Sequence, residues 1–180
     1  IFFVFASMLL ANYAVLREVV QPKFDEIERA TAATNHERVA EAINAFTSKI
    51  RTASQNYAFW DDTYFAWRQN SHEFTGSNLT PADDALDALG INALVFRKLD
   101  NSVRWSGAID LTTKAPIPGL AEELAKIEYR HPFLDGDPDP MADCGVAMAS
   151  ARLMLVCVAP ILKSDRSGNA TGTIAAAALL

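Results

Sequence analysis

The chain has 180 residues, a formal net charge of -6, and half of its residues are hydrophobic, for a mean hydropathy of +0.05. That length carries one ordinary domain plus an extra element. The acidic balance and the lack of a basic patch argue against a nucleic-acid surface, because counterion release has nothing to work through.

Residues 1–16, IFFVFASMLLANYAVL, contain no charge until Arg17. A full membrane span needs about 20 apolar residues. We read the run as the end of a transmembrane helix that starts ahead of residue 1. A buried core helix is the alternative, and a signal peptide fits less well because no basic leader is visible. From Arg17 to Glu41 there are four basic and six acidic side chains. Segments just inside a bacterial membrane carry excess Lys and Arg, so the remainder is expected on the periplasmic side of the inner membrane.

Residues 17–56 read as one long juxtamembrane helix rich in Glu, Arg and Ala, with an interruption or restart expected at Asn35-His36-Glu37-Arg38. From Val39 a stripe follows in steps of four and three: Ile43, Phe46, Ile50, Ala53, Tyr57, Trp60, Tyr64, Trp67. This heptad seam is expected to run straight through residues 57–67. It either packs along a single domain or joins two copies, and a homodimer through the long helix is the expectation.

The stretch NYAFWDDTYFAW, residues 56–67, holds six of the chain's seventeen aromatic residues around two adjacent carboxylates. A buried carboxylate is costly unless it gains hydrogen bonds or a cation. On a helix turning about 100° per residue, Tyr57, Trp60, Tyr64 and Trp67 share one face, with Asp61 at its edge and Asp62 pointing elsewhere. The two acids diverge and form no catalytic dyad. We expect Asp62 to be structural, accepting backbone amides of the following loop and holding Asn78-Leu79 against the helix. We expect Asp61, beside Trp60 and Tyr64, to meet a ligand amine or a buried arginine such as Arg104 or Arg152. The alternative is that the whole motif is core.

Beyond Gln69 the chain turns irregular. Residues 81–89 read as a short helix with Pro81 at its start and acids in the first turn. Residues 91–98 and 102–109 read as strands about a turn, 119–130 as a helix, and 145–149, 152–161 and 171–180 as three more strands. The fold class is α+β with an antiparallel sheet. The acidic loop 135–143 has aspartates at positions one, three and five of a calcium loop. It has Pro140 where an EF-hand needs Gly and Val146 where it needs Glu, so no metal site is expected. Two cysteines are too few for a disulfide scaffold, and neither they nor the three histidines show zinc-ligand spacing. A hairpin centred on Ser150-Ala151 would nevertheless set Cys144 opposite Cys157. They are either a disulfide or two small facing hydrophobes. No GxSxG, P-loop or HExxH is present, and His72 with Asp61 and Asp62 is no convergent catalytic set.

The order of parts and three local matches resemble the CHASE domain of type four, a bacterial extracytoplasmic sensor module. The matches are Tyr57-Ala58 with Trp60-Asp61-Asp62-Thr63-Tyr64, then Asn78-Leu79, then Pro160-Ile161 with Ser164-Asp165, Gly168 and Gly172. The chain departs from the pattern at Asp100-Asn101-Ser102, where the family often has Asp-Gly, and the cysteine pair is not part of the pattern. The resemblance implies a long N-terminal helix followed by a PAS/Cache-like five-stranded antiparallel sheet with helices over one face, residues 57–180 forming the sensor domain. It implies a small-molecule or periplasmic-protein signal. It also implies no catalysis and no cofactor in this part, and an output module beyond residue 180, in a histidine kinase or a cyclic-di-GMP synthase or phosphodiesterase. A ligand-free dimerisation module of a membrane protein is the rival.

Overall fold

The structure, a computed structural model, describes residues 2–71, 73–127, 142–149 and 151–180. It separates into two units, Ile1–Ala45 and Phe46–Leu180.

The first unit is helical. Helix α1 (Phe2–Val15) passes through a π-helical turn, Leu16–Val20, into α2 (Gln21–Ala58). The π turn lies directly before Pro22. In an unbroken α-helix the proline ring would clash with the carbonyl four residues back, and the wider turn relieves that crowding. The Gln21 amide accordingly bonds the Leu16 carbonyl, five residues back. Asn35 neither caps nor interrupts α2, contrary to expectation, because helix propensity on both sides carries through it. The apolar side chains Val4, Phe5, Met8, Leu9 and Leu10 are exposed, as are Phe24, Ile27, Val39 and Ile43.

The second unit takes the end of α2, then α3 (Asp61–Gln69), α4 (Glu73–Asn78) and α5 (Ala82–Leu89). A five-stranded sheet follows: β1 (Ala93–Lys98), β2 (Val103–Ala108), β3 (Asp143–Ala149), β4 (Arg152–Pro160) and β5 (Gly172–Leu179). Helix α6 (Leu120–Lys126) lies between β2 and β3 in sequence. The strand order is β2-β1-β5-β4-β3 and every pairing is antiparallel. The fold is thus a long helix followed by a five-stranded antiparallel sheet with flanking helices. Within it, α4 occupies part of the stretch read as irregular, and residues 128–130 of the helix expected over 119–130 lie outside the described residues.

Alternation along the strands divides the core in two. On one face Leu94, Phe96, Leu155, Cys157, Ile174 and Ala176 pack with Ile50, Tyr64, Trp67, Phe74 and Leu86 from the helices. On the other Val95, Met154, Val156, Val158 and Ala175 pack with Leu120 and Leu124 of α6. The helices therefore cover both faces, not one. The small alanines of β5, Ala175 to Ala178, are all buried, which suits the central strand of a doubly covered sheet.

The β3–β4 register pairs Ala149 with Arg152, Met148 with Leu153 and Cys144 with Cys157, as the sequence arithmetic requires. The two sulfurs are bonded in a disulfide.

Candidate functional site

The aromatic motif does not continue the helix. α2 ends at Ala58, Trp60 is extended (φ -117°, ψ 127°), and a new helix starts at Asp61. The seam running unbroken from Val39 to Trp67 is thereby corrected. At such a break the first amides of α3 are unpaired and its N-terminus is the positive end of a dipole. Two adjacent aspartates in the first turn fit that environment.

The corner is clasped by the connection after β4. The Leu162 amide donates to the Ala58 carbonyl at the end of α2, at 2.9 Å. The Ser164 amide donates to Asp61 Oδ1, also at 2.9 Å. The Lys163 ammonium lies 5.8 Å from the Tyr64 ring centroid, and the Arg166 guanidinium 5.1 Å from that of Phe59. Gly168, at φ 85°, is left-handed, and a Cβ there would stand 3.4 Å from the Tyr64 hydroxyl. Residues 57–64 and 160–168, distant in sequence, thus make one joint.

Trp67 is buried against the sheet. Its Nε1–H donates to the Arg97 carbonyl at 3.3 Å, and its ring is 5.0 Å from Phe96. Gly172 makes that approach possible, since a Cβ would come to 2.8 Å from Trp67 Cδ1 and collide with the Arg97 carbonyl. Phe74 of α4 is the hub, 5.5 Å from Trp60, 6.2 Å from both Tyr57 and Trp67, and 6.4 Å from Phe96. Burial raises the Tyr57 hydroxyl above its ordinary pKa.

The backbone amide expected at Asp62 falls instead to Asp61. Asp61 is the structural one, through Ser164. Asp62 faces a cleft between α3 and α4 and accepts no backbone amide among the described residues. Asn78 is held instead by its own helix, donating from Nδ2 to the Phe74 carbonyl at 3.1 Å. The cleft measures about 410 Å³ and is lined by Asp62, Phe65, Ala66, Gln69, Ser71, Glu73, Phe74, Ser77 and Asn78.

Neither arginine meets Asp61. Arg104 stacks over Trp67 at 4.7 Å and donates to the carbonyls of Ala66, at 3.2 Å, and Ser71. Its direction comes from a bulge. The β1–β2 register shifts between Phe96 and Arg97, so Arg104 is the extra residue on β2 and turns to the same side as Trp105. Arg104 therefore secures the C-terminal end of α3. Burial lowers its pKa from the ordinary arginine value. Arg152 lies on the other face of the sheet, in alternation with Met154 and Val156. Trp60, Asp61, Tyr64, Arg104 and Arg152 accordingly do not converge on one site. His72 lies outside the described residues, as do residues 135–141 of the acidic loop.

One buried charge escaped the sequence reading. Arg97 is 1% exposed and its guanidinium donates to the carbonyls of Leu124 and Ile127, both at 2.9 Å. It caps the end of α6, the negative pole of that helix. Its pKa is lowered by desolvation. A single arginine in an apolar strand was the available signal. Among the described residues no group of three or more His, Cys, Asp or Glu is placed to hold a metal.

The sequence model of the CHASE4 domain matches residues 42–180. The chain belongs to the CHASE4 domain family. The match takes in the corner, the aromatic hub and the whole sheet. No curated protein sequence matches the chain. Among solved structures it is similar to the extracellular domain of vpHK1S-Z8, described as a histidine kinase, at TM-score 0.57 and 12% identity over 83% of this chain. It is also similar to a domain of a Vibrio parahaemolyticus protein described as of the sensory box/GGDEF family, at TM-score 0.54 and 11% identity over 83% of this chain. At that identity the likeness is one of fold. The chain spans 56% and 59% of the length of those two structures. CHASE4 membership carries a sensory role for the sheet domain.

Proposed function

We propose that this CHASE4 chain is the signal-input domain of a membrane-bound bacterial receptor, facing the periplasm and controlling a catalytic module elsewhere in the receptor. That module is a histidine kinase or one that makes or degrades cyclic-di-GMP. The observation that carries the reading is the joint of residues 57–64 with 160–168, because the family match spans it and it links the end of α2 to the sheet. A change in the domain's packing would bear on the helix that leads to the membrane. The helix beginning near the N-terminus contains an 18-residue window of mean hydropathy 1.5, apolar enough to cross a bilayer. Two copies pair through α2, whose exposed Phe24, Ile27, Val39 and Ile43 need cover in water. The same side chains favour the rival reading, a dimerisation module without a ligand.

Two measurements test this. A reporter inserted at the Asp100-Asn101 turn is expected to be active as an exported fusion, and activity only in the cytoplasm would overturn the orientation. In a thermal-shift screen of small metabolites on the 180-residue chain in detergent, a ligand at a hundred times its Kd adds about 2.7 kcal/mol. A screen with no stabilising compound favours the rival.

A further inference from the structure

We propose that the outer edge of β3 is an interface for a second copy of this chain, the two β3 strands pairing antiparallel about Val146. The interface goes beyond the sensory reading and does not rest on the pairing through α2.

β3 ends the sheet, with β4 as its strand neighbour. The ladder decides which of its backbone groups point outward. The Leu180 amide donates to the Leu153 carbonyl. Leu153 thus turns its backbone groups toward β5, and its β3 partner Met148 makes no ladder bond to β4. Cys144 and Cys157 have Cα atoms 4.1 Å apart, the close spacing of a pair that exchanges no backbone bonds. Cys144, Val146 and Met148 therefore turn their amides and carbonyls off the sheet. Among the described residues no backbone bond from outside the sheet reaches them.

Free edges are commonly blunted by a bulge, a charge, a proline or a covering segment. The opposite edge strand, β2, is treated so. Its register with β1 shifts between Phe96 and Arg97, and the Ile117 amide donates to the Ala108 carbonyl at 3.1 Å. β3, with the sequence DCGVAMA, has an unshifted register, no proline and a single charge at its first position. Its two large apolar side chains, Val146 and Met148, are 60% and 73% exposed.

The sequence of β3 fits its own copy. In the register centred on Val146, Cys144 faces the second copy's Met148, and all three outward residues pair, each pair exchanging both N–H···O bonds. Any other register leaves one of them unpaired. Val146 and Met148 lie on one face and gain apolar cross-strand neighbours. On the other face Asp143 falls opposite the second copy's Ala149, and Ala149 is the ladder partner of Arg152. Asp143 and the second copy's Arg152 then stand two strand spacings apart, about 10 Å between backbones, which an extended arginine side chain can span. Two-fold symmetry repeats the pair. Asp143 and Arg152 are both exposed, and among the described residues neither joins an ion pair, although Arg152 lies within electrostatic range of Asp110. This charge complementarity favours a second copy over a foreign strand.

The experiment is oxidative cross-linking of the 180-residue chain carrying Val146→Cys, in detergent, read on non-reducing gels with the bridge located by mass spectrometry. In the proposed register the two introduced thiols sit on residues whose Cα atoms are about 5.5 Å apart, inside the disulfide range. A dimer bridged at position 146 of both copies is expected. Ser106→Cys, exposed on β2, is the matched control and is expected to remain uncross-linked. Adding Asp143→Arg to the Val146→Cys chain brings like charges together and is expected to cut the yield about threefold or more. Adding Arg152→Asp as well is expected to restore it, a rescue that a fold defect would not show. The interface is overturned if position 146 does not cross-link, if the bridge maps elsewhere, or if Ser106→Cys cross-links as well. An unchanged yield with Asp143→Arg, or no rescue by the charge swap, also overturns it. Absence of the bridge in a chain that still sediments as a dimer leaves the α2 pairing standing and removes the β3 interface alone.

Discussion

Phe74→Ala tests whether α4 is built into the domain through the aromatic hub. Phe74 is 5% exposed and has four ring neighbours, Tyr57, Trp60, Trp67 and Phe96. Truncating a core phenylalanine costs about 3–5 kcal/mol through lost transfer energy and the cavity left behind. Aromatic pairs add about 0.5–1.5 kcal/mol each beyond their area, though not additively. We therefore expect a loss of about 4 kcal/mol. At about 4 °C per kcal/mol for a domain of this size, Tm falls by roughly 15 °C. Urea titration of the 180-residue chain followed by tryptophan fluorescence measures it, since Trp60 and Trp67 border the site. Phe65→Ala is the matched control. Phe65 is 44% exposed, and its truncation is expected to cost under about 1 kcal/mol. A loss below about 1.5 kcal/mol for Phe74→Ala, or equal losses for the two variants, would show that α4 is peripheral and that the hub is misassigned.

Gly172→Ala is expected to cost about 2 kcal/mol or more, because the added methyl meets both Trp67 and the Arg97 carbonyl, and neither can move freely; unchanged thermal unfolding would refute the close approach. The Cys144–Cys157 disulfide closes a loop with a sequence separation of 13. In the chain-entropy treatment that is worth about 3 kcal/mol, so the double alanine variant should unfold at correspondingly lower denaturant, and a change under about 1 kcal/mol would count against it. Acid should loosen the joint after β4. Hydrogen bonds from Ser167, by side chain and then by backbone, hold the Asp165 carboxyl below its ordinary pKa. A depressed folded-state pKa stabilises above the unfolded value, near pH 4, and that contribution is lost as pH falls through the folded one. Asp165→Asn should flatten the stability profile below about pH 4, and an unaltered slope would remove Asp165 from the account.

The strands and most of the helices were legible as types in the sequence, α4 excepted. Period-two apolar runs bounded by turn residues specify strands wherever they stand, and the hairpin register follows from the position of its turn, which is why Cys144 and Cys157 could be paired by arithmetic. The motif residues were legible as a cluster because six aromatics in twelve positions is a local property. Where the helix broke was not local. Tyr57, Trp60, Tyr64 and Trp67 keep perfect helical spacing, so periodicity continues the helix. The break at Phe59-Trp60 arises because Leu162 and Ser164, a hundred residues on, offer amides to Ala58 and Asp61. That bend swung Asp62 to the cleft and freed Asp61 from it. Arg104 was likewise aimed by a bulge that only the β1–β2 pairing reveals. Arg152 was carried to the opposite face by strand alternation within the assembled sheet. Propensity and pattern act over a few residues and decide what each segment is. Hydrogen bonds and packing between distant segments decide which side chains meet, and in this chain the clasp of residues 160–168 on the corner at Trp60 is made of such meetings.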